Sequence, residues 1–427
     1  MAASRRSLLL RWALALALFG ATAAALLPYL LDSAVPDDLR LPAVDVARYF
    51  SAHDLSRAAG YERFLSIDFV LSQVALIGVL ALYAARGDRL TRESAAGRVG
   101  TGMLLGMLGL AFVWLSQLPF GLAQLWWERR HGVSKEGYLD WAFGNWFTLG
   151  SEFLFACFAI AIVMGLAGVL RDRWWIAGVP MLLGLGLLFT FVQPYLLSDV
   201  QPLRDPRLKA EASRLAHLEG LPQIPVEVEK VHRFTTAPNA EAAGLGPSRR
   251  VVLWDTLLDG RFKRNEVEVV LAHEFAHHSR DHIWKGFLWY TLFAIPIAFG
   301  VTEVAKRRGG LQEPRAIPLA LLAVVLLQTA ALPAQNAVTR RLESEADWIA
   351  LQTDRDPAAA RALFRRLAET SLARPDPPTW TYLLMEDHPT IEQRIAMANA
   401  WQAGQGRNSG STSRAPAPRA ATATRSR

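Results

Sequence analysis

His273-Glu274-Phe275-Ala276-His277 sets two imidazoles four residues apart, with a carboxylate directly after the first. On a helix, residues four apart lie one above the other on one face, so both imidazoles can reach a single cation. Glu274 stands where it can take a proton from water activated by that cation. About seventy residues further on, Glu343-Ser344-Glu345-Ala346-Asp347 offers another carboxylate and, one helical turn later, a second acid. The expected centre is one zinc ion per chain. His273 and His277 would bind it through imidazole nitrogen and Glu343 through a carboxylate oxygen, with the fourth position left open. An open position belongs to catalytic zinc, because structural sites fill all four with protein ligands. Glu274 is the expected general base and acid. Asp347 shares a face with Glu343 and is expected to accept a hydrogen bond from a ligand imidazole, fixing its tautomer. Glu345 falls between the two and is read as a surface residue on the opposite side. His278 and His282 are read as ordinary polar or interfacial residues.

Around the motif the chain is apolar. Hydrophobic residues make up 52% of 427, with 14 Trp and 20 Phe, yet 20% are charged. Membrane spans joined to a polar domain account for both figures. Spans are expected near Trp12–Leu31, Phe64–Ala84, Val99–Leu125, Phe147–Leu170, Trp174–Leu197, Trp284–Ala305 and Ala316–Ala334. Arg5, Arg6 and the small residues Ala21–Ala25 also resemble a secretory signal, but the apolar run continues to Leu31, which favours a retained helix. The single cysteine, Cys157, permits no internal disulfide. The net charge of +7 lies largely beside spans and in the tail, which fits membrane placement; no nucleic-acid motif accompanies it.

The expected fold is mainly α, a multi-spanning membrane protein of about seven transmembrane helices with a helical zinc-protease domain and a small β-sheet. Residues 1–197 would form the first five spans, and 198–283 a soluble segment with edge strands and the His273–His277 helix. Residues 284–334 would form spans six and seven, 335–403 the helical part carrying the third ligand, and 404–427 a disordered basic tail. Arg204–Glu219 reads as an amphipathic helix; Val226–Glu229 and Val251–Trp254 read as strands, with a turn at Gly244, Gly246 and Pro247. Asn265 and Glu268 form a capping-box pattern for the zinc helix, which is expected to run on into the sixth span. Asp356-Pro357 and His388-Pro389 each look like a helix start.

These motifs together resemble the integral-membrane zinc metalloproteases of the type I CAAX prenyl protease family. Pro119-Phe120 and Trp127-Glu128-Arg129-Arg130-His131-Gly132 resemble its segments after the third span, and Pro202-Leu203 its stretch after the fifth. Asn239-Ala240 with Val251–Leu258 resembles its substrate-facing edge strand and the helix that follows. Thr339–Asp347 is similar to its Ser-Arg-x-x-Glu-x-x-Ala-Asp pattern with Thr for Ser, and His388-Pro389-Thr390 with Arg394 resembles its closing motif. A phenylalanine-asparagine segment usual after the fifth span is replaced here by Leu196-Leu197-Ser198-Asp199, a departure that bears on substrate preference rather than on the chemistry.

The resemblance implies a peptidase whose substrate is a membrane-associated or lipidated peptide or protein, with the bilayer as its other partner. It also implies a role for His388 in donating to the oxyanion. A helix N-terminus at His388 would keep its imidazole neutral and still able to donate; otherwise it is a helix cap. Asn239 would bind substrate backbone along the edge strand, or else serve only in a turn beside Pro238. Arg394 would bind substrate, or form a salt bridge that positions the C-terminal helix. Over short loops, twelve Arg and Lys fall on the side of the N-terminus against seven on the other, which puts the zinc domain outside a bacterial-type inner membrane. The resemblance to eukaryotic members implies the cytosolic side, so the two arguments conflict. Quality-control proteolysis of membrane proteins is the nearest enzymatic alternative. A membrane scaffold or receptor with structural zinc is the non-enzymatic one, and it gives Glu274 nothing to do.

Overall fold

The computed structural model describes residues 2–87, 96–197 and 199–412. Helices α1 (Ala2–Leu31), α2 (Ala52–Arg86), α3 (Gly97–His131), α4 (Tyr138–Leu170) and α5 (Trp174–Leu196) come first. A stretch of shorter elements follows, with β1 (Val200–Pro202), α6 (Pro206–Leu218), β2 (Val226–Glu229), β3 (Ala240–Ala243), β4 (Arg250–Trp254) and α7 (Arg264–Ser279). The chain closes with α8 (His282–Ala305), α9 (Ile317–Asp354), α10 (Pro357–Ser371), α11 (Thr379–Leu384) and α12 (Ile391–Thr412).

Among the described residues five helical segments are long and apolar enough to cross a membrane: Ala52–Arg86, Gly97–His131, Tyr138–Leu196, His282–Arg308 and Pro314–Asp354. The third is folded at Arg171–Arg173 into α4 and α5, while α1 contributes only the shorter apolar stretch Leu16–Leu31. The expected count of about seven spans is thus not confirmed, although the apolar segments fall where the sequence puts them.

Helix α9 carries the logic of the fold. Its 38 residues rise about 57 Å at 1.5 Å each, nearly twice the ~30 Å apolar thickness of a bilayer. The apolar first half, residues 317–334, is long enough to fill that thickness, and the polar second half carries Glu343 and Asp347 on the same rigid rod. Helix α7 packs along this second half. The core between them and the sheet is closed by Leu215, Val251, Leu253, Leu271, Phe275, Leu351, Phe364 and Ile395, each 2% exposed or less.

Local chemistry explains the remaining elements. In α6, Leu208, Ala212, Leu215 and Ala216 recur at helical spacing and are buried. Asp205 caps this helix, accepting from the N–H groups of Arg207 and Leu208 at 2.8 and 3.2 Å. The sheet has the order β1-β2-β4-β3, with β2 and β4 parallel and the outer pairs antiparallel, so β3 is an edge strand. Gly244 turns β3 towards β4 at φ 81°; a Cβ there would stand 2.2 Å from the Ser248 carbonyl oxygen.

Four expectations are corrected at helix ends. Helix α7 begins at Arg264: Glu266, not Glu268, reaches back to the Lys263 N–H at 3.0 Å, while Asn265 bonds Asp356. It does not run on into α8, because Arg280 ends it and Asp281 takes a left-handed conformation at φ 55°. His388-Pro389 does not start α12. Thr390 caps it, Oγ1 accepting from the Gln393 N–H and the Gln393 side chain accepting from the Thr390 N–H, both at 3.1 Å. Past Gly404, where disorder was expected, α12 continues to Thr412; the rest of the expected tail lies outside the described residues. Asp356-Pro357 starts α10 as expected, with Asp356 accepting from the Ala359 N–H at 2.8 Å.

Glu219, just after α6, yields a pH prediction. Burial pushes its carboxyl up to about 8, against the opposing effect of the Ser279 and Thr353 hydroxyls. The folded state thus holds this proton more tightly than the unfolded chain does. Its contribution to stability is full below the ordinary carboxylate range and is lost as pH rises through about 8. Thermal melting of the wild type should weaken between pH 5 and pH 8, and Glu219→Gln should flatten that slope; an unchanged slope in the variant would contradict the assignment.

Candidate metal centre

The two imidazoles of α7 and the carboxylate of α9 meet where the two helices pack. His273 Nε2 lies 3.1 Å from His277 Nε2 and 3.1 Å from Glu343 Oε2, and His277 Nε2 lies 3.6 Å from Glu343 Oε1. Asp347 accepts from His273 Nδ1 at 3.0 Å. That contact holds the proton on Nδ1 and turns the Nε2 lone pair inward, the arrangement expected of a metal ligand. Lone pairs aimed at one another at this range repel unless a proton or a metal ion lies among them. A tetrahedral ion bound at ~2.1 Å separates its ligand atoms by about 3.4 Å, so the spacing fits a small dication. His273, His277 and Glu343 thus fit a metal ion.

Electrostatics follow the same geometry. Burial pushes His277 down to about 3. Asp347 and Glu343 together outweigh the burial of His273 and hold a second proton on it up to about 10, on the Nε2 position that a bound metal ion would take instead. Burial pushes Glu274 up to about 7, near where a group that both takes and gives a proton works best. Glu274 also accepts a hydrogen bond from the backbone N–H of Ala242, which ties it to the edge strand.

That edge is open in a specific way. The Trp254 N–H bonds the Asn239 carbonyl at 2.9 Å, so Asn239, Glu241 and Ala243 turn their backbone groups to β4. By alternation Ala240 and Ala242 present theirs to the free side. The Asn239 side chain is exposed at the start of this strand. The loop after α3 braces the approach to it, with the Lys135 N–H on the Phe234 carbonyl at 2.7 Å and the Thr236 N–H on the Val133 carbonyl at 2.9 Å.

Two C-terminal residues complete the surroundings of the centre. His388 stands half-exposed in a loop, its Nε2 3.2 Å from Glu343 Oε2 and its Nδ1 2.6 Å from Asp387 Oδ1. Off the helix terminus it feels two carboxylates rather than a dipole, which outweigh its burial and hold it up at about 9. Arg340 holds this loop through the Tyr382 carbonyl at 2.8 Å and the Glu386 carbonyl. Arg394 forms the salt bridge: Nε and a terminal nitrogen grip Asp347 at 2.8 and 2.6 Å, over the Phe364 ring.

Sequence reasoning missed Glu345 and His282. Glu345 is not on the surface but 1% exposed, and His282 is 4% exposed. The side of α9 opposite Glu343 is covered by α8 and the chain after α1, so parity along the helix could not report exposure.

A two-imidazole, one-carboxylate centre with an adjacent base, carried on helices that span a membrane, defines a membrane metallopeptidase. Residues 202–402 match the model of Peptidase family M48. The chain is 26% identical over 282 residues to the uncharacterized metalloprotease YhfN of Bacillus subtilis, covering 63% of this chain and 66% of that one. It is 30% identical over 214 residues to a Protease HtpX homolog of Acidiphilium cryptum, covering 45% and 72%. It is 24% identical over 211 residues to a CAAX prenyl protease 1 homolog of Oryza sativa, covering 47% and 49%. The matches thus span from half to somewhat over two thirds of these relatives. The crystal structure of S. mikatae Ste24p superposes with a TM-score of 0.67 at 18% identity, over 90% of this chain and 97% of that one. The chain belongs to Peptidase family M48 and has a Ste24p-like fold.

Proposed function

We propose that this protein is a zinc metalloendopeptidase that cleaves extended segments of membrane-associated, in particular lipid-modified, peptides in a bacterial-type inner membrane. The observation that carries the reading is Glu274, set between the three ligand residues and the free edge of β3. When bound, zinc supplies Lewis acidity that polarises the scissile carbonyl and makes water more acidic. Glu274 takes the proton of the attacking water and returns it to the departing amine. Ala240, through its N–H and carbonyl, and Ala242, through its carbonyl, offer an edge on which the substrate pairs as an added strand, with Asn239 at its start. His388, in a loop that Arg340 fixes, turns its Nε2–H from Glu343 Oε2, 3.2 Å away, towards the oxyanion.

The lipid-modified substrate is supported by the resemblance above and by an apolar cavity of about 740 Å³ among the spans, lined by Phe155, Leu183, Phe287 and Ile317. Purified protein in lipid should lose peptide hydrolysis on chelation and regain it with zinc. It should cleave a farnesylated peptide faster than the same peptide unmodified. Activity indifferent to chelators would defeat the zinc reading, and equal rates on the two peptides would defeat the lipid preference. Ala240→Pro removes one edge N–H and should lower kcat/KM about 5- to 10-fold, the worth of one hydrogen bond. An unchanged kcat/KM would place the substrate elsewhere.

A further inference from the structure

A second chain of polar contacts leads away from the metal ligands on the far side of His277. His277 Nδ1 lies 3.1 Å from His282 Nδ1, and His282 Nε2 lies 3.2 Å from Glu345 Oε2. Glu345 also accepts from the Ala34 N–H at 2.8 Å and from Arg280 Nε at 2.7 Å, with Lys285 Nζ at 3.5 Å. Arg280 reaches Asp32 Oδ2 at 2.8 Å, and Lys285 donates to the Asp32 carbonyl at 3.0 Å. Asp281 breaks the helix between the two histidines, which is what lets His282 fold back beneath His277.

Donor accounting fixes the direction of this chain. An ionised carboxylate only accepts, so His282 Nε2 carries a proton. Asp32 and Glu345 already face Arg280 and Lys285, two negative charges against two positive. A charged His282 would be a third buried cation with no carboxylate of its own. A neutral His282 protonated on Nε2 has a lone pair at Nδ1 and must accept there. The donor is His277 Nδ1–H. The remaining nitrogen of His277, Nε2, is left as a lone pair facing His273 and Glu343.

We propose that His282 and Glu345 are positioning residues that hold His277 as the Nδ1–H tautomer and anchor that ligand to residues 32–34, the chain just after α1. Asp347 holds His273 in the same way from the other side, so each imidazole ligand has its own acceptor. The inference rests on the metal-binding reading of His277 and adds that the N-terminal connection is part of the scaffold of the centre.

Solid-state 15N NMR of histidine-labelled wild type in lipid reads the tautomer directly, with His277 assigned by difference from His277→Gln. A proton on His277 Nδ1 is expected; a proton on its Nε2 overturns the proposal. Zinc competition against a chelator supplies the second arm. His282→Phe, which keeps bulk but removes both nitrogens, should bind zinc 10- to 100-fold more weakly, the usual effect of losing a group behind a ligand. Leu292→Ala opens a cavity at a buried position of the same helix α8, nearly three turns beyond His282 and outside this cluster, and should stay within about threefold of wild type on that scale. Wild-type affinity in His282→Phe, or equal losses in both variants, overturns the proposal. A wild type that binds no zinc defeats the metal reading instead, and the tautomer measurement still decides the relay.

Discussion

Replacing Glu274 by glutamine should lower peptide hydrolysis roughly 10²- to 10⁴-fold, the range that a positioned acid–base group supplies, while metal content stays at the wild-type level. The separation is the point of the variant. Glu274 is buried beside His273 but does not belong to the converging ligand set. A glutamine keeps its volume, and its side-chain carbonyl can still accept from the Ala242 N–H. What it loses is the ability to hold a proton and give it back. Hydrolysis rates and metal content measured on the same preparations decide the matter. Activity within a few-fold of wild type would remove Glu274 from the mechanism, and loss of metal would make it a ligand.

Arg394→Ala should be the most destabilising single change near the site. Asp347 is 3% exposed and takes both contacts of a two-pronged grip from Arg394, whose own side chain is 11% exposed. Removing one partner of a buried pair leaves an uncompensated charge, at a penalty of about 3–5 kcal/mol. The same carboxylate fixes His273, so metal affinity should fall with stability. Arg394→Lys keeps the charge but not the planar fork and should recover only part of the loss. Melting curves and zinc affinity of the three proteins test this; an Arg394→Ala protein that melts with wild type would mean that Asp347 is held by other groups.

The sequence was readable where chemistry has a fixed period. The four-residue spacing of His273 and His277, the turn between Glu343 and Asp347, and the apolar runs each specify a local geometry, and the structure has them. The reading failed where a residue's environment is set by distant chain. Glu345 lies on the other side of α9 from Glu343, and only the packing of α8 and residues 32–34 decides that this side is buried. His388 precedes proline, a frequent helix start, yet Arg340 and the Thr390 cap put it in a loop. Arg394 had two roles open to it, and its salt bridge reaches Asp347, 47 residues away in sequence, a contact that no local pattern announces. Edge strand β3 is only four residues, Ala-Glu-Ala-Ala, with no β-branched residue to announce it.

The most direct test is elemental analysis of the full chain purified from membranes and washed free of loosely held ions. One zinc per chain is predicted in the wild type, and none in a variant carrying both His277→Ala and Glu343→Ala. A wild type without zinc, or zinc that persists in the double variant, would contradict the centre on which the account stands.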